Sequence, residues 1–371
     1  MVAMISPRTV LHIAQVAPPY ESVPPRAYGG TERVIDALTR ELVRRGHHVT
    51  LFASGDSTVP CDELVPTVPA SVRAAATPDA ALGYAASTVL SVLAREREFD
   101  IIHGHLDFAG LAMAARSLVP VVSTFHGRLD GPWATTALTL AGPGLVAISR
   151  AQADAQRDVR WAGVVHNGLD LSDSPFERRR NDDLVFVGRI TPEKGVVDAI
   201  EVARISGRRL LIVAKIGPSA DEQAYAEGVF RPALERADTE FLGELPGVER
   251  DALLAVSYAL LMPGAWPEPF GLTAIEALAC GTPVIARRVG ALPELVRHGV
   301  DGFLADDAAE MAHRLDEVDG LDRTAIRSSV LDRFSAARMA SGYEAVYHDL
   351  LAAADDADRR PGNVVPFTAG G

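Results

Sequence analysis

Short apolar runs alternate regularly with helix-patterned segments along this chain. VLHIAQVA (10–17), HVTLFAS (48–54), FDIIHGH (99–105), VPVVSTF (119–125) and GLVAIS (144–149) each read as a buried strand. Between them lie segments such as TERVIDALTRELVRRG (31–46), an amphipathic helix closing on Gly46, and the helical stretch 79–98. DLVFVG (183–188), RLLIVA (209–214), TEFLGEL (239–245), ALLMPG (259–264) and PVIARR (283–288) repeat the style in the second half. Short apolar strands separated by helical patterns predict βαβ units and parallel sheets covered on both faces. The fold class is therefore α/β.

A chain of 371 residues accommodates two domains at roughly 100–200 residues each. The polar stretch DSPFERRRNDD (173–183) contains Pro175 and reads as the linker. This predicts an N-terminal domain over 1–172 and a C-terminal one over 183–335. A helical segment over 336–352 ends in SGYEAVYHDLL, and the polar, Gly/Pro-containing tail 353–371 is expected to be disordered. Two doubly wound domains imply a cleft, and ligands of open α/β sheets sit beyond the carboxyl ends of the strands.

Charge and cysteine content narrow the partners. The formal net charge of -13 repels a phosphate backbone, so nucleic acid is not an expected partner. The two cysteines, Cys61 and Cys280, have no CxxC or metal-ligand spacing, which fits a reducing compartment. The N-terminus lacks a signal-peptide pattern, and no run reaches the roughly 20 apolar residues of a membrane span. A cytoplasmic setting is expected.

Chemistry concentrates at predicted strand ends. In WPEPFGLTAIEALACG (266–281), Pro267 and Pro269 exclude helix, so a helix is predicted to start near Phe270 with Gly271 in its first turn. The free N–H groups of such a turn form an anion site. Glu268 precedes the helix and Glu276 lies along it, so the two carboxylates can face one pocket from two sides. In VGRITPEKG (187–195), Arg189 and Lys194 sit on a loop after a strand, a pairing suited to a diphosphate. AYGGTERV (27–34) puts Gly29 and Gly30 before a helix, and STFHG (123–127) puts His126 just past a strand. His103 and His105, with Asp107 near, resemble metal ligands, yet two His at this spacing lack a third close ligand. Arg33, Arg40 and Arg44 share one face of the 31–46 helix. They read either as a solvated charged face or as a peripheral membrane contact.

Together the strings GGTE, STFHG, VGRITPEKG, EPFGLTAIE and VVHNGLD (164–170) resemble the family 4 retaining glycosyltransferases of the GT-B fold, in the family's order and over residues 10–350. The resemblance implies two Rossmann-like domains facing across a cleft, with the terminal helix crossing back to the first. The second domain would hold the nucleotide-sugar donor and the first the acceptor. Arg189 and Lys194 would bind the donor diphosphate, Glu276 the ribose and Glu268 the sugar. Phe270, Gly271 and Leu272 would offer backbone contacts. His126 would sit at the reacting centre, with Gly29 and Gly30 near the acceptor and the phosphate. No tightly bound cofactor and no divalent metal is expected. UDP-glucose is the first donor expectation and GDP-mannose the second. The acceptor would be a hydroxyl of a sugar, a lipid-linked glycan or a small metabolite.

Three other readings are open. An epimerase or hydrolase of sugar nucleotides would use the same fold. A non-catalytic nucleotide-sugar-binding protein would not need the site residues, all of which are present. A dinucleotide-linked oxidoreductase is disfavoured, because no GxGxxG follows the first strand.

Overall fold

The computed structural model describes residues 10–26, 29–75 and 80–359. It contains two parallel sheets. The first is built from β1 (His12–Val16), β2 (His48–Ser54), β3 (Glu63–Val68), β4 (Ile101–Gly104), β5 (Val121–Phe125), β6 (Leu145–Ala147) and β7 (Gly163–Val164), in the order β3-β2-β1-β4-β5-β6-β7. The second holds β8 (Leu184–Arg189), β9 (Leu210–Lys215), β10 (Thr239–Gly243), β11 (Ala259–Met262), β12 (Val284–Arg287) and β13 (Gly302–Ala305), in the order β10-β9-β8-β11-β12-β13. Every strand pair is parallel.

The predicted strands are present because both faces of each sheet are covered. Ile13, Val49, Ile101, Val122, Val185, Leu260 and Val284 are all fully buried. One apolar cluster runs from the first sheet through the Leu272–Ala279 helix into the second sheet, so the two units share packed surface. The strand order reverses between β1 and β4 in the first sheet and between β8 and β11 in the second. At such reversals the flanking helices diverge and leave a crevice at the carboxyl ends.

Three strands were not read from the sequence. β3 carries Pro66 and is an edge strand, where a missing N–H is tolerated. β7 has only two residues, too few for periodicity to show, and β13 is the four-residue run GFLA at the far edge of its sheet, inside a Gly- and Asp-containing stretch.

The two passages between the units run side by side. Leu169 N–H donates to Phe334 O at 3.1 Å, and Ala336 N–H donates to Leu169 O at 3.0 Å. The chain then enters the terminal helix, Ala336–Arg359, which packs on the Gly30–Arg44 helix of the first unit. Arg45 and His47 tie it down: His47 Nε2 lies 2.9 Å from Glu344 Oε1, and Arg45 pairs with the same carboxylate. The helix corrects one expectation, since residues 353–359 are helical rather than disordered. Alanine-rich LAAADDADR favours helix up to the vicinity of Pro361. Residues 360–371 of the expected tail lie outside the described residues.

Candidate active site

The ten residues expected to form the donor and acceptor site line one cleft of about 1620 Å³ between the units: Gly29, Gly30, His126, Arg189, Lys194, Glu268, Phe270, Gly271, Leu272 and Glu276. The reversal points explain the convergence. Gly29 follows β1, His126 follows β5, Arg189 ends β8, and the 263–271 loop follows β11 and leads into the helix at Leu272.

On the second unit the cations are held by carboxylates. Lys194 ends a short 3-10 turn after β8, and its ammonium pairs with Glu268 Oε2 at 2.5 Å. The same oxygen accepts the indole N–H of Trp266 at 3.1 Å, and the Lys194 ammonium lies 5.2 Å from the Trp266 ring centroid. Arg128, from the loop after β5, approaches that ring at 4.8 Å. Arg189 pairs with Glu222, whose carboxylate also accepts the Ser219 hydroxyl at 2.6 Å. The Ser219 hydroxyl, with Arg189 adding to it, holds Glu222 below the usual carboxylate range despite some desolvation.

The helix after Glu268 starts at Leu272, two residues later than predicted. Gly271 is its capping residue at φ 107, a left-handed conformation costly for any residue with a side chain. Phe270 is buried against His166 and Phe334, which anchors the approach to the helix. No side chain caps this helix, nor the Gly30–Arg44 helix behind Gly29. The two starts meet: a Cβ added at Gly30 would lie 3.3 Å from Leu272 Cδ1. Both helix N-termini, with their unpaired N–H groups and positive dipole ends, therefore converge on the cleft.

Glu276 is buried within its helix. It accepts a hydrogen bond from Arg250 Nη2 at 2.9 Å and pairs with Arg33 from the opposite unit. The face shared by Arg33, Arg40 and Arg44 is thus engaged, with Arg40 paired to Asp36 and Arg44 to Glu41.

On the first unit, His126 pairs with His105 through ring nitrogens 2.9 Å apart, and its backbone N–H donates to Asp107 Oδ1 at 3.3 Å. Burial pushes the His126 pKa down to about 4, so the ring is neutral at pH 7. Asp107 adopts φ 47, an uncommon left-handed setting that aims its carboxylate at this backbone. Glu32, in the first turn of the Gly30–Arg44 helix, is buried at the cleft wall, and desolvation pushes its pKa up to about 7.

The sequence matches two family models: "Glycosyltransferase Family 4" over residues 28–173 and "Glycosyl transferases group 1" over residues 171–319. A glycogen synthase from Mycobacterium tuberculosis is 30% identical over 335 residues, covering 75% of this chain and 79% of the relative. The chain belongs to this glycosyltransferase family. It is an enzyme, a hexosyltransferase of the group 1 kind. A D-inositol 3-phosphate glycosyltransferase from Mycobacterium leprae is 33% identical over 262 residues, 61% of each chain. The architecture is that of the GT-B glycosyltransferases. Sucrose-phosphate synthase from Thermosynechococcus elongatus superposes with a TM-score of 0.71 at 20% identity, covering 92% of this chain and 99% of that one. Anabaena HepE, solved with UDP and glucose, superposes at 0.69 and 20% identity, covering 91% of this chain and all of that one.

Several residues of this glycosyltransferase's cleft were not legible beforehand. In the sequence Arg33 stands out only as part of a charged face, and nothing local marks Arg250. Asn167, in the HNG string, is buried at the cleft with its amide oxygen unpaired by any described side chain or backbone group. The signal for Trp266 was its position two residues before Glu268, within reach of the same carboxylate.

Proposed function

We propose that the chain is a retaining glycosyltransferase that moves a hexose from a nucleoside-diphosphate sugar to an acceptor hydroxyl. UDP-glucose is the first donor to test and GDP-mannose the second. The observation that carries this reading is the meeting of Lys194, Glu268 and the uncapped helix start at Gly271–Leu272 on one cleft wall.

In this reading Arg189 and Lys194 bind the diphosphate, which takes over the cations from Glu222 and Glu268. Glu268, released toward the sugar, accepts from its hydroxyls. Glu276 accepts from the ribose hydroxyls and keeps Arg250 beside it. Backbone N–H groups at Phe270, Gly271 and Leu272 approach the phosphate and the sugar. His126 borders the reacting carbon, and Gly29 and Gly30 let acceptor and phosphate approach the first unit. As the glycosidic bond to the leaving phosphate breaks, negative charge grows on the diphosphate. Lys194, Arg189 and the helix dipole stabilise that charge, and the leaving phosphate oxygen takes the proton of the acceptor hydroxyl on the same face of the sugar. That path retains the anomeric configuration without a carboxylate nucleophile. None of these residues needs a divalent metal for these roles, because the charge on the diphosphate is met by side chains.

The two relatives, a glycogen synthase and a D-inositol 3-phosphate glycosyltransferase, differ in the product or substrate their names give, and neither is carried over to this chain. A cytoplasmic setting suits two free cysteines, Cys61 and Cys280. Among the described residues no helix is long and apolar enough to cross a membrane. Contact of the Arg33, Arg40 and Arg44 face with an anionic membrane is a separate reading, tested by liposome flotation. Pairing of all three with carboxylates weighs against it.

The test is a thermal-shift screen against UDP, GDP, ADP and dTDP sugars, followed by product analysis with and without hydroxyl acceptors. Stabilisation by one sugar nucleotide and acceptor-dependent transfer are expected. Release of a free sugar or an epimer without acceptor would favour the hydrolase or epimerase instead.

A further inference from the structure

A buried polar stripe crosses the apolar face of the first sheet. The register sets Gln15 of β1 beside His103 of β4. His105 lies two residues past His103, on the same face, and Thr124 and His126 stand in the same relation on and after β5. Tyr343 and Tyr347, one turn apart on the terminal helix, cover this face and are fully buried. Polar side chains at this depth survive only when hydrogen-bonded, and here each one is.

The contacts form one chain. His126 Nε2 is 2.9 Å from His105 Nδ1, and His105 Nε2 is 3.0 Å from the Gln15 amide oxygen. The Gln15 amide nitrogen donates to the Tyr347 hydroxyl at 3.4 Å, and that hydroxyl lies 2.7 Å from His103 Nδ1. His103 Nε2 is 2.8 Å from Thr124 Oγ1, which is 3.1 Å from the Tyr343 hydroxyl.

Donor and acceptor chemistry gives the chain a direction. The amide oxygen of Gln15 can only accept, so His105 carries its hydrogen on Nε2. A neutral imidazole has one such hydrogen, so His105 Nδ1 is an acceptor and His126 must donate from Nε2. At the other end, Tyr347 accepts from Gln15 and donates to His103 Nδ1, and His103 donates from Nε2 to Thr124. Burial lowers the pKa of His103, His105 and His126 alike, which keeps all three neutral.

We infer that His105, locked through Gln15 and Tyr347 to the terminal helix, is a positioning residue that fixes His126 as the Nε2–H tautomer and leaves His126 Nδ1 a bare acceptor for a substrate hydroxyl. The inference rests on the reading of His126 as a neighbour of the reacting carbon. It makes the terminal helix a working part of the active site, because Tyr347 closes the chain that orients His126. A helix that merely braced the two units would not need a hydroxyl there.

The test combines a spectrum with kinetics on the full chain. Long-range nitrogen-15 correlation spectra of histidine-labelled protein at pH 7 should show His126 protonated on Nε2 alone. His105→Phe removes the acceptor and should give a mixed His126 tautomer. Its kcat should fall by about tenfold, the worth of one oriented hydrogen bond, with donor KM within about twofold. His105→Asn returns an acceptor oxygen and should recover the single tautomer and most of kcat. Tyr347→Phe should also mix the tautomer while circular dichroism stays native. A wild-type His126 protonated on Nδ1 overturns the inference, whether or not the variants fold. So does a folded His105→Phe with wild-type kcat. Failure of the wild type to transfer sugar from any donor overturns the functional reading instead, and the spectrum then decides the relay by itself.

Discussion

Arg33, in the helix that opens the first unit, forms an ion pair across the cleft with Glu276 of the second. The carboxylate is 4% exposed and also accepts from Arg250. Two guanidinium groups thus hold the group proposed to bind the donor ribose, one from each side of the cleft. Glu276→Gln keeps the shape and removes the charge. A hydrogen bond involving a charged group contributes about 1.5–3 kcal/mol, so donor KM should rise by about 10- to 100-fold in steady-state assays. Arg33→Ala removes a partly exposed partner and should change unfolding free energy by less than about 1 kcal/mol. Wild-type donor KM in Glu276→Gln would contradict the ribose role.

Lys194 stands at the end of the turn after β8, with Glu268 and Trp266 around its ammonium. Removing one preorganised charge that stabilises a leaving group costs on the order of 10²–10³ in rate. Lys194→Ala should therefore lose that much kcat, with a near-native circular dichroism spectrum. A loss below about tenfold would remove Lys194 from the diphosphate.

Glu32 couples stability to pH. Its folded pKa of about 7 lies above the ordinary carboxyl value of 4.5 because the carboxyl is desolvated. The folded state therefore keeps a proton that the unfolded state releases, and stability falls as pH rises from about 4.5 to about 7. Above that window the loss is complete. Glu32→Gln should flatten this slope and be more stable than wild type at pH 8 by up to about 3 kcal/mol. Urea denaturation at pH 5, 6 and 8 measures it, and identical pH profiles for the two proteins would refute the assignment.

Glu294 joins the units with the opposite sign. Burial alone would raise its pKa, but hydrogen bonds from His166 and from the Ala151 and Arg150 backbone N–H groups outweigh it and bring it below the usual range. The N–H distances are both 2.9 Å. A depressed folded pKa means stability that is full above the unfolded value and is lost as pH falls through the folded one. At pH 7, Glu294→Gln should cost about 1–3 kcal/mol, and the cost should shrink in acid. A constant difference from pH 7 down to pH 3 would show that the charge is not what matters.

Most strands were legible because a parallel sheet covered on both faces forces continuous apolar runs, as in VLHIAQVA and PVIARR. Nine of the ten cleft residues were legible because each sits beside a strand end or a Gly- or Pro-marked helix start, and Glu276 because it lies one turn into that helix, eight residues after Glu268. What depended on distant chain segments was not. Nothing local to Arg33 says that it reaches Glu276. HGH looks metal-like until β1, β5 and the terminal helix supply Gln15, Thr124 and Tyr347 as partners. The helix start moved from Phe270 to Leu272 because Phe270 packs into the core, a tertiary preference that proline spacing does not encode.

Lys194 and Glu276 are proposed to line one nucleotide-sugar site. Isothermal titration of the full chain with UDP, UDP-glucose and GDP-mannose, beside Lys194→Ala and Glu276→Gln, measures this. One site per chain is expected for one of these ligands, with Kd raised about tenfold or more in each folded variant. Equal affinity in wild type and both variants, or no binding of any nucleoside diphosphate, would contradict it.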